Sequence, residues 1–259
     1  MKAIIYAAGV GRRMGPRTAN LPKVLLEFGG KTLLRRHLES LSAVGVREVV
    51  VVTGWHHERV DAEIERLLRD HPLRLEAVRN ESFREGSALS VWAAEAHLTP
   101  EAAPLLLMDG DVLYGPEMLS RLLDSPSGTC LLLDRRCALN EADPVLVAVR
   151  GGRPFDFTKA YRGPYEEIGE SIGFFKVGTR DVPRFREAAR ARTTGTRRSE
   201  TLEDIVRELV QEGLFGREDV TGLPWIEIDF PEDMERALKE VLPAVEAAGR
   251  AKSSRLQAG

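Results

Sequence analysis

The stretch AAGVGRRMGPRTANLPK, Ala7 to Lys23, follows the apolar run KAIIY and carries three glycines, Gly9, Gly11 and Gly15, together with the cations Arg13 and Lys23. Glycines at this spacing let a backbone turn where no side chain fits and bring it close to phosphate oxygens. Arg13 and Lys23 flank the loop as fixed cations, which suits a triphosphate gripped along its length. Acids supply the complementary chemistry. Asp109 and Asp111 lie in MDGDVLY, and Asp229 lies in WIEIDFPED. Hard divalent cations take oxygen ligands from a few carboxylates, and acids at two distant strand ends are candidates to meet across one ion. Each acidic motif also has a purely structural reading: DGD as a turn of self-bonding aspartates, DFPED as a helix start capped by Asp229.

These residues need a scaffold that gathers strand ends. Lys2 to Ala8 reads as a buried strand, and leucines at 33, 34, 38 and 41 put one apolar face on a helix over Thr32 to Val44. REVVVVT (47–53), Leu73 to Val78 and PLLLM (104–108) read as further strands. Helices are predicted over His56 to Arg69 and over Ser87 to Leu98, the second opened by a serine cap. Strand alternating with helix implies parallel strands, crossover helices and ligands at the strands' carboxyl ends. The expected fold is α/β, a Rossmann-like three-layer α/β/α arrangement with a mixed, mostly parallel central sheet. Between 125 and 180 the pattern changes to short strands and Gly/Pro turns, read as an antiparallel edge or as a small antiparallel lid or insertion on the acceptor side. Two helices, the strand WIEID and a helix from Pro231 follow. One domain over 1–246 is expected, with a structureless tail over 247–259.

A dinucleotide loop would require a helix to start at once and an acid about 20 residues on to hold a ribose. Here Pro16 and Pro22 interrupt the loop, its spacing is GxGxxxG, and the second strand ends in Thr53 and Gly54. Composition narrows the partners. The chain has 259 residues, 30% of them charged, and a net charge of -3, so no global field recruits nucleic acid or an anionic membrane. Up to Arg36, however, eight cations face the single acid Glu27, which favours anions locally. No apolar run reaches the about 18 residues of a membrane span, and two isolated cysteines, Cys130 and Cys137, suit a reducing compartment. A cytoplasmic protein is expected.

AAGVGRRMG followed by LPKVLLEFGGKTLLRRHLESL resembles the opening signature of the nucleotidyltransferases that activate sugar phosphates and small phosphorylated alcohols. Ala7, Ala8, Gly9, Gly11, Arg13, Pro22 and Lys23 match it, while Arg12 stands where a small residue is commoner. The resemblance implies a loop wrapped around a nucleoside triphosphate, with Arg13 and Lys23 on its phosphates and backbone near Ala7–Gly9 against the base. It implies Mg2+ held by Asp111 and Asp229, and Asp109 as a nucleotide-binding or supporting acid. RNESFREGSALSVWAA (79–94) resembles the family's segment beneath the nucleobase, so Asn80, Gly86 and Ser87 would face the base.

Within the family, GSALSVWAA, ESIGFFKV and EIDFPEDMERAL look more like the cytidylyltransferases acting on phosphocholine, inositol 1-phosphate or phosphonates than like hexose-1-phosphate enzymes. The asparagine-rich NNxYS of that branch is missing, with Ser87 and Ala88 in its place. CTP is the expected donor. Lys159 falls where related enzymes carry a lysine for the transferred phosphate, and Tyr161, Glu170, Trp225, Glu227, Glu203 and Asp204 are candidates to line the acceptor pocket. Aromatic faces with acids would suit a quaternary ammonium. A hexose-1-phosphate uridylyl- or guanylyltransferase and a non-catalytic nucleotide-binding subunit are the alternatives. The acceptor and the oligomeric state, a homodimer included, are left open.

Overall fold

The computed structural model describes residues 1–18, 20–69, 73–101, 103–136 and 144–257. The chain opens with β1 (Lys2–Ala7), the glycine loop, the short hairpin β2 (Glu27–Phe28) and β3 (Lys31–Thr32), and α1 (Leu33–Ala43). Then come β4 (Glu48–Thr53), α2 (His57–Leu68), β5 (Arg74–Arg79), α3 (Ala88–Ala93) and β6 (Leu105–Asp109). β7 (Val112–Tyr114) and α4 (Glu117–Asp124) lead into β8 (Cys130–Asp134), β9 (Leu146–Arg150), β10 (Arg153–Thr158) and β11 (Glu167–Val177). The last elements are α5 (Val182–Arg190), α6 (Leu202–Gln211), β12 (Gly216–Asp219), β13 (Trp225–Glu227), α7 (Pro231–Arg236) and α8 (Leu242–Gln257).

The central sheet runs β10-β9-β11-β6-β1-β4-β5, with β8 pairing β11 and β12 pairing β8. Its parallel core is β6-β1-β4-β5. Ile4 packs into one hydrophobic cluster, while Ala3 and Ile5 pack into another on the opposite face. A strand buried on both faces is what helices covering both sides of a parallel sheet require. A third cluster of Met14, Leu26, Phe28, Leu33, Leu113, Ile226 and Ile228 joins the glycine loop to β7 and β13. Met14 is fully buried there, so the glycine loop is pinned by an apolar anchor worth about 1.5–3 kcal/mol.

Of the two readings of 125–180, edge or lid, the structure takes the first: these strands extend the central sheet. β11 is long enough to pair β9 with its first half and β6 with its second, both antiparallel. Two small antiparallel pairs, β7 with β13 and β2 with β3, lie outside the central sheet. Two other expectations are corrected. The helix expected over 87–98 stops at Ala93 and tightens into a 3-10 turn at Glu95–His97. Beyond 246 the helix α8 continues to Gln257, because Ala, Lys, Arg, Leu and Gln are strong helix formers. Cys130 is buried and free, and Cys137 lies outside the described residues. Among the described residues no helix is long and apolar enough to cross a membrane.

At the bulge in β11 where its register with β8 shifts, Gly173 has φ of +74°, and a Cβ there would lie 2.1 Å from Asp109 Oδ2. Only glycine lets the strand pass the Asp109 carboxylate. Gly173→Ala is expected to destabilise the fold by about 1–3 kcal/mol, the usual range for one strained backbone position, measured by urea unfolding.

Candidate active site

The carboxyl end of β1 delivers the glycine loop, the turn after β6 delivers Asp111, and the residues after β13 deliver Asp229. β7 and β13 pair antiparallel, with Val112 opposite Glu227, and Ile228 N donates to Asp111 O at 2.9 Å. That small sheet brings the two acids together across 118 positions of sequence. Lys23 Nζ lies between them, 2.8 Å from Asp111 Oδ2 and 2.5 Å from Asp229 Oδ1, and Arg13 Nη2 lies 2.9 Å from Asp229 Oδ2. Burial alone would lower the Lys23 pKa, but Asp111 and Asp229 more than offset it and hold the ammonium above its ordinary value.

Asp111, Glu227 and Asp229 are the one group among the described residues whose metal-ligating atoms converge, all within 4.8 Å of one another. The donors are oxygens only, which fits a hard divalent cation, and two of them, Asp111 and Asp229, already hold the Lys23 ammonium. Glu227 stands on an open wall yet is crowded by protein atoms. That crowding, followed by the charges of Asp111 and Asp229, holds its carboxyl well above the usual range. Asp109 is shifted the same way, by burial first and then by Asp111.

The turn carrying Asp111 is fixed from below. Gly110 N donates to Tyr6 O at 3.0 Å, and His37, fully buried on α1, sets Nε2 3.2 Å from Gly110 O and Nδ1 3.4 Å from Tyr114 Oη. Burial pushes the His37 pKa down to about 4, so the ring is neutral at pH 7. A carbonyl can only accept, so Nε2 carries the proton and Nδ1 accepts from the tyrosine.

Two clefts meet at these acids. One, of about 380 Å3, is lined by Ala8, Gly9, Gly11, Arg13, Lys23, Ser87, Asp109 and Asp111 among others. The other, of about 760 Å3, is lined by Glu170, Trp225, Phe230 and Arg236, and it shares Glu227 and Asp229 with the first. The Trp225 ring is anchored by its Nε1, which donates to Asp134 Oδ2 at 2.8 Å.

Other expected site residues are used differently. Gly86 donates its amide to Arg198 O at 2.9 Å rather than presenting it to a ligand, and a Cβ there would fall 1.9 Å from Glu200 O. Ser87 caps the wrong helix: its Oγ accepts from Leu202 N, at the start of α6, at 2.9 Å. Its hydroxyl proton remains available to the cleft. Asn80 is buried and bridges Ser90 Oγ and Ser82 N, which shapes the wall behind Ser87. Ala7 lines only a small hollow next to the loop. Lys159 is exposed just past β10 and lines neither cleft; Tyr161 packs on Phe155 and donates to Pro164 O at 3.0 Å, also outside both. Glu203 faces the smaller cleft, and Asp204 closes a capping box with Thr201 on α6.

A family model described as the MobA-like NTP transferase domain matches residues 3–173. The chain belongs to that family. Two similar proteins are both named bifunctional IPC transferase and DIPP synthase. That of Aquifex aeolicus is 27% identical over 92% of this chain and 51% of its own length; that of Rubrobacter xylanophilus is 32% identical over 93% and 52%. The chain thus spans about half the length of the curated relatives it matches. Its fold is shared by the inositol-1-phosphate CTP transferase from T. maritima, with a TM-score of 0.76 at 22% identity, covering 95% of this chain and 96% of that one. It is shared also by the CTP:phosphocholine cytidylyltransferase from Streptococcus pneumoniae, with a TM-score of 0.70 at 18% identity, covering 92% and 97%.

Sequence reasoning assigned Glu227 to the acceptor pocket alone and missed its place beside Asp111 and Asp229. The signal was present: residues two apart on a strand share a face, and Glu227 and Asp229 are two apart. Tyr6, Phe83, Glu85 and Arg12 also line the smaller cleft without having been singled out.

Proposed function

We propose that this NTP transferase moves a cytidylyl group from CTP to the phosphate of a small phosphorylated alcohol, with inositol 1-phosphate the first acceptor to test, releasing pyrophosphate. The observation that carries the reading is the pair of clefts sharing Glu227 and Asp229, one floored by the glycine loop and the other by Trp225 and Glu170. Two substrates placed there would face each other across the carboxylates. The names of the similar IPC transferases and of the inositol-1-phosphate CTP transferase support the choice of nucleotide and acceptor.

The triphosphate would lie along the loop, with Arg13 on the leaving pyrophosphate and Lys23 on the α-phosphate. Ser87, its oxygen already accepting from Leu202 N, would donate its proton to the base. Asp111 and Asp229, with Glu227 beside them, would hold Mg2+, which offsets the charge of two anionic substrates. A phosphate monoester has its second pKa near about 6, so the attacking oxygen is anionic at pH 7 and needs no general base. Positioning and charge neutralisation then supply the catalysis. Lys159, exposed just past β10, is the candidate for the acceptor phosphate on the resemblance alone. The protein is expected to act free of nucleic acid and membrane, in the cytoplasm.

The test is pyrophosphate release with Mg2+, crossing CTP, UTP, GTP, ATP and dTTP with inositol 1-phosphate, phosphocholine, aminoethylphosphonate and hexose 1-phosphates. A signal with CTP and one phosphorylated alcohol is the expected result. A signal confined to GTP or UTP with a hexose 1-phosphate would sink the cytidylyl assignment. That second reading has one observation behind it, 31% identity to the Aspergillus fumigatus mannose-1-phosphate guanyltransferase over 44% of this chain and 31% of that protein.

A further inference from the structure

Tyr6 is the last residue but one of β1, directly before the glycine loop, and its hydroxyl is buried without a hydrogen-bond partner. Buried tyrosines normally find a partner for that hydroxyl, and leaving it unpaired costs as much as losing a hydrogen bond. Its ring packs with the cluster that includes Ala88 and Val91 of α3 and Leu202 and Ile205 of α6. Val24, beside Lys23, belongs to the cluster on the other face of the sheet. Tyr6 thus turns its ring to the side of the smaller cleft lined by Phe83, Ser87, Ser90 and Leu202, and it also borders the small hollow that Lys23 lines. Glu203 Oε2, in the same cleft, is a second buried polar atom without a partner.

We propose that Tyr6 is a nucleotide-contacting residue whose hydroxyl donates to an acceptor oxygen or nitrogen of the nucleoside, base or ribose, of the bound donor nucleotide. The inference rests on the reading of this cleft as the nucleotide site. Its chemistry is a hydroxyl held unsatisfied in the free protein so that only the nucleoside completes it. The ligand-free protein bears a stability cost that bound nucleotide removes.

The experiment is calorimetric titration of wild type and Tyr6→Phe with the CTP, UTP and GTP complexes of Mg2+, with CMP and with inorganic pyrophosphate, alongside thermal unfolding of the free proteins. Tyr6→Phe is expected to weaken the best-bound nucleoside triphosphate by about 5- to 10-fold, the worth of one hydrogen bond, and CMP by the same factor. Pyrophosphate affinity is expected to stay unchanged, and the free variant to melt about 2–4 °C higher. Triphosphate and CMP affinities within two-fold of wild type would overturn the assignment, as would equal weakening of pyrophosphate. Tightest wild-type binding of GTP or UTP would remove the preference for CTP but leave Tyr6 to be judged by the same ratio. A wild type that binds no nucleoside triphosphate overturns both.

Discussion

Lys23→Ala is expected to lower turnover by about 10²- to 10³-fold, the scale for losing one charged contact to a developing transition state. The side chain is 14% exposed and touches both Asp111 and Asp229, so the substitution also leaves two neighbouring carboxylates without their shared cation. Removing one member of a buried ion pair costs about 3–5 kcal/mol, and the open cleft puts this case at or below the low end. Because Asp111 and Asp229 raise the Lys23 pKa despite its burial, its stabilising contribution is fully present below the unfolded value of about 10.4 and lost only as pH rises through the folded value. The stability gap to wild type should therefore be flat between about pH 6 and 9. A metal ion can take the place of the missing ammonium. Mg2+ without nucleotide should thus raise the melting temperature of Lys23→Ala more than that of wild type. An equal rise in both, or turnover within ten-fold of wild type, would remove Lys23 from the role assigned to it.

The parts of the molecule legible in the sequence are those fixed by local pattern. β1, β4 and β6 announce themselves as short apolar runs, and α1 by its leucine spacing, because burial on two faces or one stripe dictates composition. The glycine loop and the strand-end acids were legible as motifs, and it was the family resemblance that assigned them phosphate and metal. What stayed hidden depends on partners distant in sequence. Ser87 looks like the cap of the helix that follows it, yet its Oγ serves Leu202, 115 residues on. Gly86 looks like a ligand-facing turn, yet the backbone of Arg198–Glu200 passes too close for any side chain. Hairpin patterns over 125–180 state that strands pair, not which sheet they join, and β11 joins the central one through β6. Tyr6 was invisible as a site residue because a strand ending in an aromatic is ordinary; only the unpaired hydroxyl marks it.

Asp111→Asn separates the ligand role of this acid from its role as partner of Lys23. The carboxamide keeps the shape, Asp229 still holds Lys23 at 2.5 Å, and one of the three convergent oxygen donors loses its charge. Stability of the free protein should fall by only about 1 kcal/mol, less than for Lys23→Ala, because a charged partner remains. Turnover should nevertheless drop by about 10²- to 10³-fold, with the Mg2+ concentration for half activation raised by about ten-fold or more. The two substitutions act on one cluster, so the double variant should lose far less than the product of the single losses, as residues working as a unit do. A double variant whose loss equals that product would mean that Lys23 and Asp111 serve separate steps. The 2.8 Å contact between them would then be a resting-state ion pair that the reaction does not use.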